Sequence, residues 1–191
     1  MNANITKANL IVSGLTAANK VYNKDLVANL GGTAVVNALG NDNVTLGGSV
    51  TGAFSDKNAA TGKSVTIRGH AISGAAAVNY NLIQQAGVTA DITKANLSVS
   101  GMTASNRVYD AGVAASLSGT AVITALSGDT VVLGGTATGT FADKNAALAK
   151  GVTISGHTIS GADAGNYNLM QQAGVTADIT KANLSVSGLS A

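Results

Sequence analysis

The chain has 191 residues, of which 10% are charged, with a formal net charge of +2 and no cysteine, proline or tryptophan. Charge this sparse excludes the basic footprint of a nucleic-acid surface, and the lack of cysteine excludes disulfides and thiolate metal sites. No run of about 20 apolar residues is present to span a bilayer as a helix. With 46% hydrophobic but only 3% aromatic residues, a core has to be built from Val, Ile, Leu and Ala around a few rings.

The run Ile5-Thr6-Lys7-Ala8-Asn9-Leu10 returns at Ile92 and again at Ile179, a period of 87 residues with no gaps. Every ring keeps that register: Tyr22 with Tyr109, Phe54 with Phe141, Tyr80 with Tyr167, and His70 with His157. Solenoid repeats run to about 20 to 50 residues, so a period this long reads as a domain. The expected division is 5–91, 92–178, and 179–191 as the opening strand of a third repeat, which suggests an excerpt of a longer array.

Taken in chain order through the second copy, apolar alternation predicts short strands at 97–99, 108–109, 115–117, 121–123, 131–133, 138–141, 152–154, 157–159, 167–170 and 175–179. Gly, Ser and Asp punctuate them at intervals of about 8 to 12 residues, which is the pattern of an antiparallel sandwich. Segment 142–150 is Ala-rich enough for two helical turns. Its counterpart replaces Leu148-Ala149 with Thr61-Gly62, so a loop or single turn is expected there. The acidic residues are all Asp, which also argues against long helices. The fold expected is all-β: tandem antiparallel β-sandwich units of Ig-like character, arranged end to end. The runner-up is a mixed β unit with one short helix on a sheet.

Two local signals add detail. Asp163-Ala164-Gly165-Asn166-Tyr167 precedes an alternating strand with the spacing of a tyrosine corner, in which the hydroxyl reaches back to the preceding turn. The first copy keeps Tyr80 but has Ala76 and Val78 for Asp163 and Gly165, and the competing reading is a Tyr simply buried on a strand. The junction 86–97 has no Gly or Pro after Gly87, so the last strand of one unit is expected to run almost directly into the next. Stiff coupling of the units, and a rod, would follow.

Ile92-Thr93-Lys94-Ala95-Asn96-Leu97-Ser98-Val99-Ser100-Gly101, Val108-Tyr109-Asp110, Gly139-Thr140-Phe141-Ala142-Asp143-Lys144-Asn145 and the 160–169 segment recur over essentially the whole chain. In these features the sequence resembles the YDG/MBG-type repeats of large, filamentous-hemagglutinin-like, two-partner secreted bacterial exoproteins. It departs at the naming motif, where Ala111 follows Tyr109-Asp110 and the first copy reads Tyr22-Asn23-Lys24. The resemblance implies stalk repeats of an adhesin, exported through an outer-membrane partner pore and displayed extracellularly, at the cell surface or in biofilm matrix. It implies a monomer whose partners are neighbouring repeats. Host or matrix glycans or proteins would be met through other parts of the parent protein.

No set of residues calls for catalysis, and no enzyme activity and no cofactor are expected. One His per unit without Cys or Glu cannot close a metal site, and Gly-x-Ser-x-Gly does not occur. Asp42, Asp56, Asp129, Asp143 and Asp163 lack the clustered spacing of a calcium loop and read as turn residues. Asp56-Lys57-Asn58 and Asp143-Lys144-Asn145 raise the idea of a Lys–Asn cross-link, but neighbours on one loop point the wrong way and no Glu assists. Asn4, Asn43, Asn96 and Asn183 fit Asn-x-Ser/Thr, as an Asn-rich chain does by chance. A carbohydrate- or protein-binding module is the alternative function, for which an exposed aromatic platform is missing from the sequence.

Overall fold

Strands made of Val, Ile and Thr alternating with small polar residues dominate the computed structural model, which describes residues 3–188. The chain divides into two units at Ala95/Asn96. Unit 1 holds β1 (Ala8–Ile11), β2 (Ser13–Ala17), β3 (Lys20–Val21), β4 (Val27–Ala28), β5 (Leu30–Val35), β6 (Thr45–Gly47), β7 (Thr51–Phe54), β8 (Ala60–Arg68), β9 (Ala71–Ser73), β10 (Tyr80–Ile83) and β11 (Thr89–Thr93). Unit 2 repeats the plan with β12 (Ala95–Ser98), β13 (Ser100–Ala104), β14 (Arg107–Val108), β15 (Ala114–Ala115), β16 (Leu117–Val122), β17 (Val132–Phe141), β18 (Ala147–Ser160), β19 (Tyr167–Met170) and β20 (Val175–Thr180). No helix beyond the single 3-10 turns Ala77–Asn79 and Ala164–Asn166 appears among the described residues, so the mixed unit with a packed helix is not what forms.

Each unit is organised on a five-stranded sheet, ordered β3-β11-β8-β7-β4 in unit 1 and β14-β20-β18-β17-β15 in unit 2. In unit 2 period-two alternation buries Phe141, Val152, Ile154, Ala177 and Ile179 on one face of it. The antiparallel pair β13–β16 lays Met102, Ala104 and Leu117 over that face. Burial of each of the large side chains contributes about 1.5 to 3 kcal/mol. A second, smaller core in unit 1 gathers Leu10, Ala76 and Tyr80 with Val36, Val44 and Ile72.

One long hairpin, β17–β18, serves both halves of its unit, and it bends at Gly135 and Gly156. Both have positive φ, +82° and +97°, and a Cβ on either would meet a backbone carbonyl oxygen at 2.1 or 2.2 Å. Their counterparts Gly48 and Gly69 break the same hairpin in unit 1 into β6–β9 and β7–β8.

The structure departs from the sequence reading at three places. The sheets are not antiparallel throughout: β1 pairs in parallel with β10, and β3 with β11, as β14 does with β20. The physical reason is that each pair joins a strand from the opening part of its unit to one from the closing part, connected by long stretches of chain rather than hairpins. Segment 142–150 is a loop only to Ala146, and from Ala147 it is strand, because Ala149 takes a positive φ of 49° in a bulge where its N–H donates to Asp178 Oδ1 at 2.7 Å. Lastly, β11 runs through the 91/92 repeat boundary, with Ile92 buried and paired with Lys20, so the Ile-Thr that opens a repeat in sequence closes the preceding unit in space.

Residues 181–188 carry no strand, although they repeat 94–101. Leu97 is 3% exposed and Leu184 is 98% exposed. In unit 1 the counterpart strand β1 pairs with Tyr80–Ile83, far downstream of it in the chain. The remainder of the expected third-repeat strand, 189–191, lies outside the described residues.

Candidate functional site: fastenings repeated in each unit

Tyr80 and Tyr167 start β10 and β19, and both are buried. The Tyr167 hydroxyl donates to Asp129 Oδ2 at 2.7 Å and accepts from Leu126 N at 3.0 Å. Tyr80 makes the same pair with Asp42 Oδ2 at 2.7 Å and Leu39 N at 2.8 Å. These partners sit on a turn 38 to 41 residues upstream, so the hydroxyl latches a distant turn as well as following its own. Asp163 supports the same place, because its Oδ2 accepts from Thr130 N at 3.0 Å. Gly165 has no positive φ and open space at its Cβ position, which is why Val78 fits there in the first copy. The carboxylate of Asp42 raises the Tyr80 phenol above its ordinary value.

The second fastening is cationic. Lys20 Nζ stands 5.3 Å from the centre of the Phe54 ring and donates to the carbonyls of Asp25 and Val27, with Asp25 Oδ1 at 2.5 Å. Arg107 stands 5.3 Å from the Phe141 ring and donates to Gly112 O and to Ala114 O, with Asp110 Oδ1 at 2.7 Å. The cation therefore holds the Tyr22 and Tyr109 turns closed in both units, although the acid has moved along the turn. Lys20 holds the Asp25 carboxyl below its ordinary range.

The third fastening is a glutamine pair that follows the last strand of each small parallel or paired sheet. Gln85 and Gln172 imitate a strand residue: the Oε1 accepts from Leu15 N or Met102 N at 2.8 Å and the Nε2 donates to the same residue's carbonyl at 2.7 Å. Gln84 and Gln171 do this to His70 and His157, whose Nδ1 also reaches the Oε1 at 3.0 and 3.1 Å. Since Oε1 only accepts, the imidazole proton is on Nδ1. Both histidines are thus buried parts of a staple.

The Asp-Lys-Asn loops are built differently from a cross-linking site. Asp56 and Asp143 each accept from the N–H two residues on, forming a turn, and pair with a lysine of the following strand. Lys63 reaches Asp56 at 2.7 Å and Lys150 reaches Asp143 at 2.5 Å, with lysine side chains 7% and 8% exposed. Both carboxyls are held below their ordinary range, first by that lysine bond. Among the described residues no three His, Cys, Asp or Glu side chains lie together as metal ligands. A groove of about 430 Å³ in unit 1 lies between Ser64–Arg68 and Gln84–Thr89, lined by Val65, Ile67, Gln85 and Val88.

Lys20, Arg107 and the four glutamines are functional-scale residues that sequence reasoning passed over. The signal was present, since the Gln-Gln pair and a cation two residues before Tyr keep register in both copies.

Comparison with known families matches the YDG domain to residues 6–90 and again to 93–177. The chain belongs to the YDG-domain family. No curated protein and no solved structure matches it. The cationic clamp lies under the turn at Tyr109-Asp110, so in the second YDG domain the Asp at that turn pairs with the base three residues before it. In the first YDG domain Asn23 stands there, and its Nδ2 donates to Asp25 Oδ2 at 2.7 Å instead.

Proposed function

We propose that this pair of YDG domains is a structural spacer, part of the stalk of a large secreted bacterial surface adhesin that holds an adhesive region away from the cell. The observation that carries the reading is the junction: β11 ends at Thr93 and β12 begins at Ala95, with Lys94 alone between them. The connection is a single Lys, with none of the Gly/Ser-rich residues of a flexible linker. The repeated polar groups support the same reading, because each fastening joins parts of its own unit. On this reading the segment is extracellular, monomeric and not an enzyme, and its neighbours are further repeats. We read each unit as an Ig-like sandwich, supported by the two-stranded antiparallel pair that accompanies each five-stranded sheet.

Small-angle scattering on the whole chain tests the proposal. A spacer has a radius of gyration clearly above the ~16 Å of a compact globule of this length. A value near that figure would remove the spacer reading, and saturable binding of this fragment on a glycan array would put the binding-module alternative in its place.

A further inference from the structure

Tension on a spacer is applied at the two ends of each unit, so the pairing of its first and last strands decides what resists. We infer that each unit is a shear-loaded force clamp, in which two parallel strand pairs and the glutamine staple between them bear the load. The biological use of such a clamp rests on the spacer reading, but the mechanical property belongs to the fold.

In unit 1 the first strand, β1, pairs in parallel with β10 over Ala8↔Tyr80 to Ile11↔Ile83, and Val12 N extends the ladder to Ile83 O at 2.9 Å. The last strand, β11, pairs in parallel with β3 at Ile92↔Lys20 and Thr93↔Val21, and Tyr22 N extends it to Thr93 O at 2.8 Å. Pulling the ends draws β1 toward its N-terminus and β11 toward its C-terminus. Residues 84–88 join β10 to β11, so β10 is drawn with β11, while β2 joins β3 to β1. Both pairs are therefore asked to slide along their own axes in opposite directions. Parallel partners pulled this way load all their hydrogen bonds together, whereas a hairpin pulled at its mouth loses them one at a time.

Slack in 84–88 would let β10 stay behind, and the staple removes it. Gln85 fixes that connector to Leu15 of β2 through two bonds, and Gln84 fixes it to His70. Unit 2 has the same parts: β12 pairs with β19, Val99 N donates to Met170 O, β14 runs parallel to β20, and Gln172 and Gln171 hold Met102 and His157.

Single-molecule force spectroscopy on the full chain tests this, and the absence of natural cysteine lets handles be placed at will. One form carries Lys7→Cys and Lys181→Cys, near the ends. The other carries Val132→Cys and Ser160→Cys, which are register partners at the mouth of β17–β18. The end-pulled form is expected to rupture at a force at least about twofold higher, since forced unfolding reads the barrier along the pulled direction. Gln85→Leu with Gln172→Leu is expected to lower the end-pulled force and leave the mouth-pulled force unchanged. Equal forces in the two directions, or a glutamine variant that lowers both alike, would overturn the clamp. Scattering tests the spacer reading separately, because a compact chain can still show this directional resistance.

Discussion

The hydroxyl of Tyr167 and the carboxylate of Asp129 lie 2.7 Å apart across 38 residues of sequence, and the same hydroxyl takes the Leu126 amide proton. Tyr167→Phe keeps the ring and removes both bonds, leaving a part-buried amide without its acceptor. A loss of about 1 to 3 kcal/mol in unit 2 is expected. Hydrogen exchange measures it where it acts: the Leu126 amide should exchange faster, while Leu39, held by Tyr80 in unit 1, should not change. Equal protection of Leu126 in both forms would show that the latch is decorative.

The pH dependence follows from the same pairs. Asp25, Asp56 and Asp143 are held below 3.8 by Lys20, Lys63 and Lys150, so their contribution is complete above the unfolded value and is lost as pH falls through the lower folded values. Tyr80 is held above 10.0 by Asp42, so its contribution is complete below that value and is lost as pH rises through the raised one. Melting temperature should be flat between about pH 5 and pH 9 and fall on both sides. The acid limb should shrink in Lys150→Met, which removes one of the three pairs.

Backbone geometry predicts a contrast between two glycines of the second unit. Gly135→Ala places a Cβ 2.1 Å from Gly156 O at a φ of +82°, where the hairpin must bend. It should destabilise unit 2 by about 2 to 4 kcal/mol. Gly165→Ala meets nothing within 4 Å and should be close to neutral. Chemical denaturation of the two variants side by side would reveal the difference as a shift in midpoint.

The all-β character, the repeat and the burial of Phe54, Phe141, Tyr80 and Tyr167 could be read from alternation and register, because those properties depend on neighbours in sequence. The direction of the Tyr hydroxyl could not. Its spacing to Asp163 and Gly165 pointed to the preceding turn, whereas its bonds to Asp129 and Leu126 reach a turn that only the folded hairpin brings near. Parallel pairing of β1 with β10 was hidden for the same reason, since period-two alternation is identical in parallel and antiparallel strands. The strand at Ala147–Lys150 was hidden by composition, as its Ala content suits a helix and only the Asp178 bond to Ala149 N makes the bulge workable.

The cationic clamp makes the last prediction, because the two units solve one problem with the acid in different places. Lys20 grips the carbonyls of residues 25 and 27 and pairs with Asp25, whereas Arg107 grips 112 and 114 and pairs with Asp110, whose counterpart in unit 1 is Asn23. Asp25→Gly alone removes the carboxylate from Lys20, and with it the acceptor of Val27 N, so unit 1 should melt earlier. Adding Asn23→Asp and Lys20→Arg rebuilds the arrangement of unit 2, where the planar guanidinium reaches an acid and two carbonyls at once. The triple variant should recover most of the lost melting temperature, while Asn23→Asp added without Lys20→Arg should recover less. If both recover equally, the carboxylate matters only as a charge and the fork geometry of Arg107 does not contribute.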